Sequence, residues 1–172
     1  MAARFNEVRA EIDSISAAFE FYALSHAVEP GPIVKTFLLA TIDFTERMKN
    51  GEEESFPPEL HTASKIDDFS EWLNRPDMIL PETFTDFHAK IIAYSPKVIT
   101  AIAWIKDSSP GETHNNEYEK FMIVEGTCNI TVEEEVYSLV PGDYFSIPLY
   151  KNHQVIVTSA IPCKVILQRI AA

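Results

Sequence analysis

The chain has 172 residues, 46% of them hydrophobic and 23% charged. That length suffices for one good core, or for a small domain with a helical appendage. The net charge of −12 argues against nucleic-acid binding, because a face that grips phosphates needs clustered Lys and Arg. An acidic chain can still bind a basic protein, and the charge also confers solubility. No basic segment leads into an apolar signal core, and no run of about 18 apolar residues could span a bilayer. The expected location is the cytoplasm. Cys128 and Cys163 lack the pairwise spacing of a zinc knuckle or redox motif, and read as small buried apolar residues in a reducing compartment.

The first element is helical. Phe5, Val8, Ile12, Ile15, Phe19, Tyr22 and His26 recur at spacings of three and four, which places them on one stripe. Polar residues lie between them, so a coiled-coil or helix-hairpin interface is expected. The sequence EPGP, Glu29 to Pro32, stops this helix, and Pro32 suits the first position of the next. Ile33, Phe37, Thr41, Phe44 and Met48 form a second stripe. The short connection predicts an antiparallel hairpin over residues 1–50.

Residues 51–76 follow as a linker and a short helix. Gly51 to Lys65 is acidic, holds a Pro-Pro pair and shows no apolar period. IDDFSEWLNRP gives the short helix, with Asp67 or Asp68 near its cap and Pro76 ending it. The period then becomes that of strands. FHAKIIAYS, VITAIAWIK, YEKFMIVEG, TCNITVEEE, VYSLVPGD, YFSIPLY, HQVIVTS and CKVILQRI are short β-rich runs joined by turns. Residues 77–172 therefore predict an antiparallel barrel or sandwich, and the whole chain an α+β fold.

Two blocks carry the candidate chemistry. The first runs through Gly111, Glu112, His114, Glu119 and Gly126; the second holds Pro141, Gly142, Asp143, Pro148 and His153. Together they resemble the two signature motifs of the cupin superfamily. In that family the first motif has two His one residue apart, then Glu or Gln, then Gly seven positions on. The second has a Pro-Gly-Asp turn, a Pro and a single His. Glu119 and Gly126 keep the family spacing, His114 matches the second His, and His153 matches the later motif. Glu112 stands where the first His would be.

The resemblance covers the chain from about Phe84 onward and implies a jelly-roll barrel with a divalent metal. His114, Glu119 and His153 would be its ligands, with Glu112 as a fourth. Two imidazoles and one carboxylate suit Zn, Fe, Mn or Ni, and a second carboxylate hardens the set. Phe121, Ile123, Phe145, Ile147 and Trp104 are candidates for an apolar wall around a small ligand. His26 reads as an interface residue, His61 as solvated, and His88 as a core or surface residue of a strand.

The N-terminal stretch is similar to a helix found in bacterial anti-sigma factors that join a helical part to a cupin. Glu7 to Ile12, Tyr22, Ala23 and His26 to Pro30 carry this likeness. It implies a sigma-factor-like protein partner for the helices. No Cys precedes Cys128, so the zinc module of those proteins is missing. The expected role is that of a regulatory or sensory metal-binding protein and homo-oligomer, with a possible small ligand in the barrel. The alternative is a metal-dependent oxygenase or isomerase acting on a small organic substrate.

Overall fold

The computed structural model describes residues 2–28, 30–31 and 33–172. Glu29 and the proposed role of Pro32 as a first helical residue lie outside the described residues. The chain divides into two compact units, Met1–Gly31 and Pro32–Ala172.

The first unit is one helix, α1 (Ala2–Ser25). The predicted stripe is present along it, and Phe5, Val8, Ile12, Ile15, Phe19 and Tyr22 are all exposed to solvent.

The second unit begins with α2 (Val34–Lys49). The sequence reading ends a helical domain at residue 50, whereas α2 packs against the first strand and belongs to the barrel unit. Phe37, Ala40 and Phe44 face the core. Thr41, assigned to the apolar stripe from its spacing, is exposed, and its hydroxyl donates to the Phe37 carbonyl at 2.8 Å. Such bonding to the preceding turn is a common way to satisfy a helical threonine.

Eight strands follow: β1 (Phe87–Tyr94), β2 (Val98–Ile105), β3 (Glu117–Glu125), β4 (Cys128–Val132), β5 (Glu135–Leu139), β6 (Tyr144–Ile147), β7 (His153–Val157) and β8 (Cys163–Ala171). They form a five-stranded sheet, β1-β2-β8-β3-β6, and a three-stranded sheet, β5-β4-β7. Every strand pairing is antiparallel. This is the expected α+β arrangement, helices followed by a jelly roll.

Alternation along the strands sorts side chains into two cores. Ala101, Ala103, Ile105, Phe121, Ile123, Val165 and Leu167 of the large sheet meet Ile130, Val132, Leu139 and Val155 of the small one. The neighbours of opposite parity, Ile102, Trp104, Met122 and Ile166, point to the outer face. There they join Leu60, Phe69, Trp72 and Met78. Trp104 therefore does not contribute to an interior wall, in contrast to Phe121, Ile123 and Ile147. Phe145, partly buried, packs against the inner core.

The stretch read as a linker is likewise corrected. Leu60 and Phe69 are fully buried. Gln168, itself inaccessible, accepts from Leu60 N at 2.7 Å and donates to the Pro58 carbonyl at 2.9 Å and to Thr100 Oγ1 at 3.1 Å. The segment has no period because it runs extended across the sheet, with its backbone polar groups satisfied by a side chain of β8. The short helix is as expected: a 3₁₀ turn, Ile66–Phe69, leads into α3 (Ser70–Leu73). The Asp68 carboxylate accepts from Lys65 N at 2.8 Å.

Candidate metal centre

Glu119 is the centre of the site. It lies on β3, points between the sheets and is 3% exposed. His153 opens β7 and is equally buried. Its Nε2 stands 3.0 Å from Glu119 Oε2, and its Nδ1 is 3.3 Å from the Lys151 carbonyl. A proton on Nδ1 bonded to that carbonyl leaves the Nε2 lone pair aimed into the site, the usual orientation of a metal-binding imidazole.

Glu112 is held by backbone pairing with His153. Glu112 N donates to His153 O, and His153 N to Glu112 O, both at 2.9 Å. Residues paired in this way present their side chains on one face. His114 sits two residues on, in an irregular segment whose carbonyl accepts from Tyr150 N at 2.8 Å. Its Nε2 lies 3.5 Å from both Glu112 Oε2 and Glu119 Oε2. The two imidazole rings stand 5.2 Å apart.

One ligand atom from each of Glu112, His114, Glu119 and His153 falls within 4.8 Å of the others. Ligands at about 2.1 Å from a shared ion stand roughly 3–4 Å apart, so a small contraction closes this set on a cation. His114 Nε2 is buried and has no hydrogen-bond partner. A buried polar atom without a partner calls for an explanation, and a place as a ligand to a cation is one. The donor set also matches divalent metal chemistry, two imidazole nitrogens and carboxylate oxygens.

A fifth residue, Arg169, escaped sequence reasoning. Its Nε donates to Glu119 Oε1 at 2.9 Å and its Nη2 to Glu112 Oε2 at 3.2 Å. Glu117 Oε1 lies 3.6 Å from the same Nε. Its guanidinium also stacks over Phe37 of α2, 4.3 Å from the ring centroid. The signal lay in strand pairing: Glu119 and Arg169 are direct partners between β3 and β8. With neutral imidazoles, three carboxylates and one guanidinium leave an excess of negative charge, which a divalent cation would offset.

The electrostatics follow from this crowding. Burial alone would raise the Glu119 carboxyl, but the His114 and His153 imidazoles that face it and the nearby Arg169 charge outweigh it, and hold it well below the usual carboxylate range. The Glu119 carboxylate, 3.5 Å from its Nε2, raises His114 above an ordinary imidazole, against the effect of its own burial. Burial pushes Glu112 upward, with Arg169 opposing.

The interior cavity bounded by Glu112, Glu119, His153, Arg169 and Ile33 measures about 20 Å³. That is room for about one water molecule. A larger open groove of about 600 Å³ lies between α2, β1 and residues 77–81, and none of the four clustered residues lines it. His88 lines that groove, its ring 5.6 Å from Trp104. His61 is exposed, and His26 stacks on Tyr22 at the end of α1. Cys128 and Cys163 are buried free thiols.

Residues 104–168 match the family model described as Cupin domain. Similar solved structures include the cupin domain of Cnp3 from Schizosaccharomyces pombe, at 10% identity and a TM-score of 0.49, covering 52% of this chain and 67% of that one. KdgF from Halomonas sp. aligns at 18% identity and a TM-score of 0.47, over 52% of this chain and 85% of its own. A predicted oxalate decarboxylase from Thermotoga maritima aligns at 14% identity and 0.48, over 50% and 81%. No curated protein matches the chain. No described helix is long and apolar enough to cross a membrane.

Proposed function

We propose that the barrel holds one divalent metal ion on His114, Glu119 and His153, with Glu112 as the fourth ligand, and that the protein works as a regulatory or sensory metal-binding cupin. The carrying observation is the buried, unpartnered Nε2 of His114 facing two carboxylates and a second imidazole. Zinc, iron, manganese or nickel fits this set. A bound ion would supply positive charge and Lewis acidity at the barrel centre.

The chain's own residues support binding rather than turnover. A cavity of about 20 Å³ has no room for an organic substrate beside an ion. Ile33 borders it, and Phe37 lies over Arg169, whose guanidinium reaches the carboxylates. Arg169 thus links the site to α2, so a change of charge at Glu119 acts on that helix. A cytoplasmic location accords with the two free thiols. A sigma-factor-like partner is what the N-terminal likeness implies, and α1 offers an exposed apolar face for a protein.

The test is elemental analysis of protein purified without an affinity tag, beside His114→Ala and His153→Ala. The wild type is expected to retain about one metal per chain and each variant to lose it, with circular dichroism of the helices unchanged. Full metal in both variants sinks the assignment. Bound iron with substrate-dependent oxygen uptake would instead favour the oxygenase reading.

A further inference from the structure

The exposed face of α1 has no role in the barrel chemistry. Phe5, Val8, Ile12, Ile15, Phe19 and Tyr22 are spaced 3-4-3-4-3, the a and d positions of a heptad seam. Phe5 and Phe19 are 72% and 71% exposed. A helix of 24 residues that leaves such a seam in water lacks the tertiary packing on which most helices depend. We infer that α1 pairs with α1 of a second copy of this chain, antiparallel, to form a two-helix coiled coil.

Three observations select this occupant. The first is length. The exposed apolar residues of α2 run from Val34 to Ile42, about 12 Å of helix, while the α1 seam from Phe5 to Tyr22 runs about 26 Å. Another α1 matches the seam along its whole length. The second is area. Covering both seams removes on the order of 1,200 Å² from water, the size at which specific interfaces begin.

The third is the fit of the layers. An antiparallel pair sets a against d, so Phe5 meets Tyr22 of the second copy, Val8 meets Phe19, and Ile12 meets Ile15. Small Val8 is then filled by a large ring. A parallel pair would stack Val8 on Val8 next to a layer of paired Phe5 rings, leaving a gap. The antiparallel arrangement also brings Arg9 within a turn of Glu20 of the second copy, along the same flank of the seam, which joins opposite charges. This inference is independent of metal binding.

The experiment is sedimentation equilibrium of the full chain, with Ile12→Ala/Ile15→Ala beside it. Alanine keeps the helix propensity and removes only the two central layers. The wild type is expected at twice 19.4 kDa, and the double variant at the single-chain mass with unchanged metal content. Orientation is read with a short bismaleimide. Phe5→Cys mixed with Tyr22→Cys should cross-link, and Phe5→Cys alone should not. A wild type at 19.4 kDa overturns the inference and leaves the face to a different protein. A dimer that survives the double alanine change, or one in which Phe5→Cys links to itself, overturns it equally.

Discussion

Arg169 and Glu119 stand directly opposite each other between β8 and β3, and the arginine Nε donates to the buried carboxylate at 2.9 Å. One guanidinium thereby secures the acid group on which the two imidazoles converge. Removing one partner of a buried pair leaves the other charge uncompensated.

Arg169→Met is expected to lower the stability of the metal-free protein by about 3 kcal/mol at neutral pH. The loss should be smaller with metal bound, since the cation replaces the missing positive charge. By linkage the variant then binds the metal more tightly than the wild type. Urea unfolding of both proteins, with and without zinc, measures all four corners of this cycle. Equal losses with and without metal would separate Arg169 from the site.

The pH dependence of the metal-free protein has a definite sign at each end. Glu119 titrates below its unfolded value of 4.5, so its contribution is present above that pH and is lost as pH falls beneath it. His114 titrates above its unfolded value of 6.5, so its contribution is complete below that pH and is lost as pH rises through the folded value. Stability should therefore decline in both directions from the interval between 4.5 and 6.5. Glu119→Gln should flatten the acid limb, as seen in thermal midpoints across the range.

Metal binding is expected to release protons, because His114 holds one more readily than a free imidazole does. Zinc affinity should weaken as pH falls into the range where His114 becomes protonated. Calorimetry in buffers of different ionisation enthalpy counts the protons. An affinity independent of pH would remove His114 from the ligand set.

Two glycines in left-handed backbone separate conformational strain from crowding. At Gly126, φ +73°, an added Cβ would lie 2.9 Å from the Pro162 carbonyl oxygen and 3.1 Å from Cys163 Cα. At Gly142, φ +94°, it would meet nothing within 4 Å. Gly142→Ala should cost about 1 kcal/mol, from the backbone alone. Gly126→Ala should cost about 3 kcal/mol, because backbone must move as well. Similar losses in denaturant midpoints would contradict the packing at Gly126.

Gln168→Leu keeps the side-chain bulk and removes three hydrogen bonds. Leu60 N is then buried without an acceptor, at a cost of roughly 2–3 kcal/mol. Proteolysis should begin within residues 51–65 in the variant and not in the wild type.

Much of the barrel was legible because its strands are short, β-rich and punctuated by turns. The convergence of Glu112, His114, Glu119 and His153 was also implied by the resemblance of two motifs to those of cupins. Arg169 was not, since its role depends on a register between residues 50 positions apart, and a lone arginine in an apolar strand carries no local mark. Trp104 was ambiguous for a different reason. Both faces of β2 are buried, so AIAWIK has no polar alternation to tell inside from outside. Leu60 was hidden because an extended segment satisfied by another element's side chain has no period of its own.

The position of β8 has a consequence for biosynthesis. It follows the other seven strands in sequence, yet it lies between β2 and β3 in the middle of the large sheet. Until it emerges from the ribosome, β1-β2 and β3-β6 are separate ribbons with bare inner edges, and the carboxylate at the heart of the site lacks its guanidinium. The large sheet therefore closes only after all its other strands are made, and the nascent protein is most exposed to edge-to-edge association until β8 is delivered.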